Sequence, residues 1–200
     1  MQTAAAAYKC VLLGDEGVGK TSLIYRHILG QVPQVQSCLA SCDCHVTMMN
    51  VNEEKVQLTM WDTEGSRDYD RLRPLAYPHT DVFLLCFSVD EPMSLKNVKE
   101  RWYPELNHHC PETPILLVGT KEDLRDDNRR EPLKANPLVS AEEGLKTAKD
   151  IGARGYAECS ALSGRGVAEV LTKVAPLAKR TPIAATTTHN RGEGRKCTIL

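Results

Sequence analysis

Six consecutive residues, Val82-Phe-Leu-Leu-Cys-Phe87, carry no polar side chain. Successive side chains of a strand point to opposite faces, so this run is apolar on both. Such a strand belongs in the middle of a sheet covered on both sides, the architecture of parallel sheets. Further runs that read as strands are Tyr8–Leu13, His45–Val51, Val56–Asp62, Ile115–Gly119 and Tyr156–Glu158, the central one extending over Val82–Val89. Between them come stretches with the helical period. Leu95, Val98, Trp102 and Leu106 form one stripe, and Val167, Val170, Leu171 and Val174 another. Ser140 followed by Glu143 predicts a capping box and a helix over Ala141–Ile151. Alternation of this kind predicts an α/β fold, with a mostly parallel sheet and helices on both faces. The polar turn Asn52-Glu53-Glu54 predicts one antiparallel edge hairpin between the second and third strands.

The chain's 200 residues suit one domain with a tail. The expected division is an extension over 1–7, a domain over 8–178 and a flexible tail over 179–200, with a charged, proline-containing insert at about 126–137. Lys+Arg 25 against Asp+Glu 26 leaves a net charge of −1, so nothing in the balance suggests a nucleic-acid binder. No apolar run approaches the roughly 20 residues that span a bilayer. Met1–Ala7 lacks the basic flank and apolar stretch of a secretory signal, so a cytosolic protein is expected. Cysteines there are read as free thiols, those within apolar runs, Cys10 and Cys86, as buried hydrophobes. Cys38, Cys42, Cys44 and His45 have the density of a zinc site but no standard spacing; the plainer expectation is an exposed, oxidisable loop.

Gly14-Asp-Glu-Gly-Val-Gly19-Lys20-Thr21 matches G-x-x-x-x-G-K-[ST], directly after a strand and opening a helical pattern. In that context backbone N–H groups and a helix N-terminus cradle phosphates, lysine reaches the terminal oxygens and threonine offers a hydroxyl to Mg²⁺. Expected phosphate contacts are therefore Gly14, Gly17, Val18, Gly19, Lys20, Thr21 and Ser22. Trp61-Asp62-Thr63-Glu64-Gly65 ends a strand and puts Asp62 where it can hold the water shell of Mg²⁺. Thr120-Lys121-Glu122-Asp123 follows another strand, at the carboxyl edge where open α/β sheets bind ligands. A carboxylate at Asp123 can accept both N1–H and the exocyclic amine of guanine, a donor pair that adenine lacks. Ser160, Ala161 and Leu162 end the last strand, where backbone N–H can reach the guanine carbonyl.

The order G-x-x-x-x-G-K-T, W-D-T-x-G, T-K-x-D, C-S-A-L and a terminal Cys-Thr-Ile-Leu resembles the Rho family of small GTPases. Asp68-Tyr-Asp-Arg-Leu-Arg-Pro-Leu75, Trp102-Tyr-Pro-Glu-Leu and His108-His-Cys-Pro111 are most similar to its Rac subgroup. The resemblance implies a six-stranded G domain, GTP/GDP and Mg²⁺ as ligands, a monomeric switch in cytoskeletal signalling, and regulators and effectors of the Rho type.

Departures from the pattern fall on catalytic and sensing positions. Glu16 replaces a small residue beside the β/γ phosphates. Two like charges roughly 5 Å apart repel by about 3 kcal/mol at an effective dielectric near 20. A side chain swung outward would instead block an arginine finger, worth on the order of 10³–10⁵ in rate. Ser66, next to Gly65, replaces the glutamine that orients the attacking water, and serine is too short for that task. Val32 stands where an aromatic overlays the guanine. The Mg²⁺-binding threonine maps to Leu39 or Ala40, neither of which can ligate; Ser37 or Ser41 can substitute only if that loop reregisters. Very slow hydrolysis and a GTP-loaded protein by default are expected.

Cys197-Thr-Ile-Leu200 is a C-a-a-X ending that favours geranylgeranylation of Cys197 and attachment to the cytoplasmic face of a membrane. One lipid binds reversibly, and Arg191, Arg195 and Lys196 add only a thin basic patch. A different reading keeps the G fold as a non-switching interaction scaffold that binds nucleotide weakly. A third, an ATP-using P-loop kinase, is disfavoured by Asp123 and by the lack of a lid-like arginine cluster.

Overall fold

The computed structural model describes residues 5–32, 42–126 and 137–178. Six strands form one sheet in the order β2-β3-β1-β4-β5-β6: β1 (Ala6–Leu13), β2 (Cys42–Val51), β3 (Glu54–Thr63), β4 (Val82–Ser88), β5 (Ile115–Thr120) and β6 (Gly155–Glu158). Only β2 and β3 pair antiparallel; the other neighbours run parallel. The sheet is the one expected from the alternation of strand and helix patterns. β4 lies inside it, flanked by β1 and β5, and all seven of its residues are buried.

Side-chain parity sorts the core into two layers. Cys10, Leu12, Leu84, Cys86 and Val118 pack with Leu23 and Ile24 of α1 (Lys20–Leu29) and with Val167, Val170 and Leu171 of α5 (Val167–Thr172). The intervening residues Val11, Leu13, Phe83, Leu85 and Phe87 pack with Val98, Trp102 and Leu106, and with Ala148 of α4 (Ala141–Asp150). Full burial of each large apolar side chain contributes roughly 1.5–3 kcal/mol, so both faces of β4 hold the domain together. The Val167 stripe continues through α6 (Val174–Ala178).

The Leu95–Leu106 stripe is helical throughout, but not as one α-helix. α2 (Pro92–Asn97) passes into a π turn (Val98–Trp102) and then α3 (Tyr103–His109), with Tyr103 N–H donating to Val98 O. The capping box at α4 is formed: Ser140 Oγ accepts from Glu143 N–H at 3.2 Å, and Glu143 Oε2 accepts from Ser140 N–H at 2.8 Å. The hairpin turn needs only Asn52 and Glu53, both at positive φ (49° and 67°), with Val51 opposite Glu54. Positive φ at both central residues gives the turn whose twist suits a two-residue hairpin.

Two local expectations change. Ala6 and Ala7, assigned by sequence to an extension, are strand residues opposite Val56 and Gln57. Cys42 and Cys44, expected in an exposed loop, lie within β2, which begins at Cys42 instead of at the expected His45. Strand alternation leaves Cys44 exposed and His45 half-buried, its ring 5.6 Å from that of Tyr25. Among the described residues no group of three or more His, Cys, Asp or Glu could hold a metal; Cys38 lies outside them. The free thiols Cys10, Cys86, Cys110 and Cys159 are buried. Among the described residues no helix is long and apolar enough to cross a membrane.

Candidate nucleotide site

The strands β1, β3 and β5 end on one side of the sheet, and three loops leave it there. The first runs from Gly14 to Gly19. Gly14 has φ 140°, and a Cβ there would lie 2.2 Å from Cys86 O, so the tight turn off β1 demands glycine. Gly19, at φ 97°, is the N-cap of α1 and supplies no side chain, leaving the first turn of the helix open to a ligand. Lys20 folds back under this loop. Its ammonium donates to Gly14 O at 2.9 Å and Asp15 O at 2.7 Å, and the side chain is buried. Burial pushes the Lys20 ammonium below its ordinary pKa, with the Asp62 carboxylate opposing.

The second loop follows β3. Thr21 Oγ1 donates to Asp62 Oδ2 at 2.5 Å. Asp62 Oδ1 is buried and has no hydrogen-bond partner among the described residues. Burial raises the pKa of this carboxyl, against the Thr21 hydrogen bond and the Lys20 charge. A desolvated carboxylate oxygen beside a hydroxyl is a hard-oxygen donor set, which suits Mg²⁺ held partly through water. Thr21 and Asp62 are the residues that would hold it.

These groups line a cavity of about 410 Å³, together with Glu16, Gly17, Gly19, Ser22, Thr63 and Lys121. Sequence reasoning missed two further acids in its wall, Asp43 and Glu64. Asp43 is placed there by the hairpin, whose register sets it opposite Asp62. Glu64 occupies the variable position of W-D-T-x-G, where no motif assigns it a role.

A second cavity of about 220 Å³ adjoins the first, sharing Gly19, Ser22 and Lys121 with it. Its other walls are Leu23, Val32, Thr120, Asp123, Leu124, Cys159, Ala161 and Leu162. It is largely apolar, with the buried Asp123 in its wall, as a flat heterocycle with polar edges requires. Lys121 adopts φ 58°, which turns the chain into the 3₁₀ turn Glu122–Arg125 that carries Asp123. Thr120 Oγ1 lies 2.5 Å from Val18 O and 2.9 Å from Phe87 O, bracing this loop against the phosphate loop. Ser160 is fully buried and does not line the cavity; its Oγ accepts from Ser163 N–H at 3.0 Å and shapes the turn that presents Ala161 and Leu162.

The remaining sequence candidates lie around the far end. Glu16 is exposed at the rim of the larger cavity. Gly65 packs flat on the phosphate loop: a Cβ would sit 2.4 Å from Glu16 N and 2.5 Å from Gly14 O. Ser66 does not line either cavity. Its hydroxyl accepts from Asp68 N–H at 3.3 Å and caps the 3₁₀ turn Arg67–Tyr69. Leu39, Ala40, Ser37, Ser41, most of the 126–137 insert and Cys197 lie outside the described residues.

Two arginines unanticipated from the sequence fix this second loop. Arg73 donates to Glu64 O at 3.0 Å and to Ser66 O at 2.7 Å, and pairs with Asp70 and Glu105. Arg101 donates to Gly65 O at 3.0 Å and pairs with Asp70. Both guanidinium groups stack on Trp102, at 4.7 and 4.2 Å from its ring.

A trough with a carboxylate-bearing apolar slot at one end and a lysine, a hydroxyl and an orphaned carboxylate oxygen at the other suits a nucleotide lying along it. The sequence profile of the Ras family matches residues 9–180, nearly the whole of the described fold. The chain belongs to the Ras family, the small GTPases, and carries a GTP-binding domain of a signalling protein.

Proposed function

We propose that this chain is a Rac-like member of the Rho branch that binds guanine nucleotide and hydrolyses GTP very slowly, attached to the cytoplasmic face of a membrane through lipid on Cys197. One observation supports the binding half above others: Asp123 and Lys20 stand in adjoining cavities that share Gly19, so base and phosphates fit along one trough. The residual reaction is in-line attack of water on the terminal phosphorus, with cleavage of its bond to the β-phosphate oxygen, giving GDP and inorganic phosphate. Lys20 stabilises the charge that spreads over the phosphate oxygens. Thr21 and Asp62 would hold Mg²⁺, which when bound would supply further neutralisation of phosphate charge.

Slow hydrolysis is supported by the placement of Ser66, whose short side chain caps the 3₁₀ turn at Asp68 N–H and lines neither cavity. Exposure of Glu16 at the rim adds a carboxylate on the path by which an arginine finger would enter. Single-turnover hydrolysis tests this part: the double reversion Glu16→Gly with Ser66→Gln is expected to raise the rate by about tenfold or more. No gain would sink the assignment. Calorimetry tests the binding half, which fails if guanosine and adenosine triphosphates bind alike. Membrane attachment predicts greater recovery of wild type than of Cys197→Ser in the membrane fraction; equal recovery contradicts it.

A second reading, the non-switching scaffold, is favoured by the Arg73 and Arg101 contacts, which tie the carbonyls of Glu64, Gly65 and Ser66 to their surroundings. Purification with no bound nucleotide would favour it over the first.

A further inference from the structure

The terminal-phosphate end of the trough already contains an anion. Glu64 Oε1 accepts from Gly65 N–H at 2.9 Å and lies 3.4 Å from Ser66 N, while the side chain lines the phosphate cavity. Direction along the trough follows from its two ends. With the base against Asp123 and Leu162, the phosphates would extend past the shared Gly19 into the cavity lined by Lys20, Glu16 and Glu64. Gly65 packs against Gly14, Asp15 and Glu16, and its N–H donates to the Glu64 carboxylate that lines this cavity.

The backbone that carries Glu64 is held in place. Glu64 O accepts from Arg73, Gly65 O accepts from Arg101, and Ser66 O accepts from Arg73. The backbone that would have to swing is therefore held at three successive residues, leaving only side-chain rotation to release the carboxylate. Of the cationic side chains in the cavity wall, Lys20 and Lys121 stand against four carboxylates, Glu16, Asp43, Asp62 and Glu64. A triphosphate would bring one more negative group into this acid-lined cavity than a diphosphate does.

We infer that the Glu64 carboxylate acts as a built-in occupant of the terminal-phosphate position, making this chain selective for the guanosine diphosphate over the triphosphate. The inference rests on the nucleotide-binding reading and adds to it the form that is held. It also changes what slow hydrolysis means here: a poor rate of cleavage does not leave the protein triphosphate-loaded if the triphosphate is disfavoured at equilibrium. Specificity follows from a repulsive element built against one ligand as much as from contacts to the other.

The test uses the full chain and fluorescent GDP and a non-hydrolysable GTP analogue, titrated at fixed Mg²⁺. Like charges a few ångströms apart at a half-solvated site correspond to about a tenfold change in affinity, so wild type is expected to bind the diphosphate about tenfold more tightly. Glu64→Ala and Glu64→Gln are both expected to narrow that ratio toward one by tightening the triphosphate analogue. The Glu64→Gln variant keeps an oxygen for Gly65 N–H and loses only the charge. If it retains the wild-type ratio, Glu64 is reduced to a loop cap and the inference is overturned. Equal affinities in wild type would overturn it too, while leaving guanine binding intact. Failure of both nucleotides to bind wild type would remove the nucleotide-binding reading and this inference together.

Discussion

Trp102 Nε1 donates a 2.8 Å hydrogen bond to Asp15 Oδ1, joining the π turn to the phosphate loop across 87 residues of sequence. Asn97 Nδ2 donates to the other oxygen, Asp15 Oδ2, at 2.7 Å. The loop that cradles phosphate is thus positioned by the helical stretch on one side of the sheet as well as by β1. The wider helical turn at 98–102 accompanies the placement of Trp102, whose ring is buried between the sheet and two guanidinium groups.

Removing Asp15 leaves the buried Trp102 Nε1 without its acceptor, and removing the indole N–H takes from Asp15 one of its donors, Asn97 and Arg101 remaining. Asp15→Ala and Trp102→Phe are each expected to lower stability by about 1–3 kcal/mol in urea unfolding. Because the residues act as a pair, the double variant should lose less than the sum of the two. Additive losses would show that the contact does not couple the loop to the helix.

Gly65 is held against main-chain atoms of the phosphate loop, none of which can yield as the tip of a side chain can. Gly65→Ala is expected to destabilise by about 1–3 kcal/mol through overpacking, and to weaken nucleotide binding as well. Thermal unfolding and nucleotide titration measure the two effects. A variant with unchanged melting would mean that the two loops separate easily.

Val32 forms part of the wall of the base cavity and offers a base no aromatic face. Val32→Phe restores a stacking surface, worth about 1–3 kcal/mol per base in comparable settings. Nucleotide dissociation is therefore expected to slow by about tenfold. An unaltered rate would indicate that Val32 does not overlie the base.

Glu158 predicts a feature of the acid stability profile. Burial raises its pKa, but the Arg125 fork, at 2.5 and 2.8 Å, and the Tyr156 hydroxyl outweigh burial and hold it below the ordinary carboxylate value. The folded state therefore favours the ionised form. The stabilisation is fully present above the unfolded-state pKa and is lost as pH falls through the folded-state value. Glu158→Gln should flatten the acid side of a plot of unfolding free energy against pH below about pH 4.5. A profile parallel to wild type would show that another group causes the acid loss.

Much of the architecture was legible because its signals are local. The apolar run Val82–Phe87 places β4 inside a covered sheet, the Ser140–Glu143 pair starts α4, and Gly14–Thr21 announces a phosphate loop between a strand and a helix. Each is a short-range pattern whose physical cause, backbone period or glycine conformation, acts over a few residues. The same holds for Asn52-Glu53, where two residues at positive φ reverse the chain.

The wiring of the candidate site was decided elsewhere. Thr21 meets Asp62 and Arg73 meets Glu105 only after the chain has folded, over separations of 41 and 32 residues. Asp43 enters the cavity wall because antiparallel register puts it opposite Asp62, and a slip of one residue would turn it to the other face. Composition and spacing determined that a nucleotide fold forms and where its loops fall. Only three-dimensional packing decided that Trp102 reaches Asp15 and that Arg101 reaches Gly65 O, because a long-range hydrogen-bond partner depends on which groups the fold brings within 3 or 4 Å of each other.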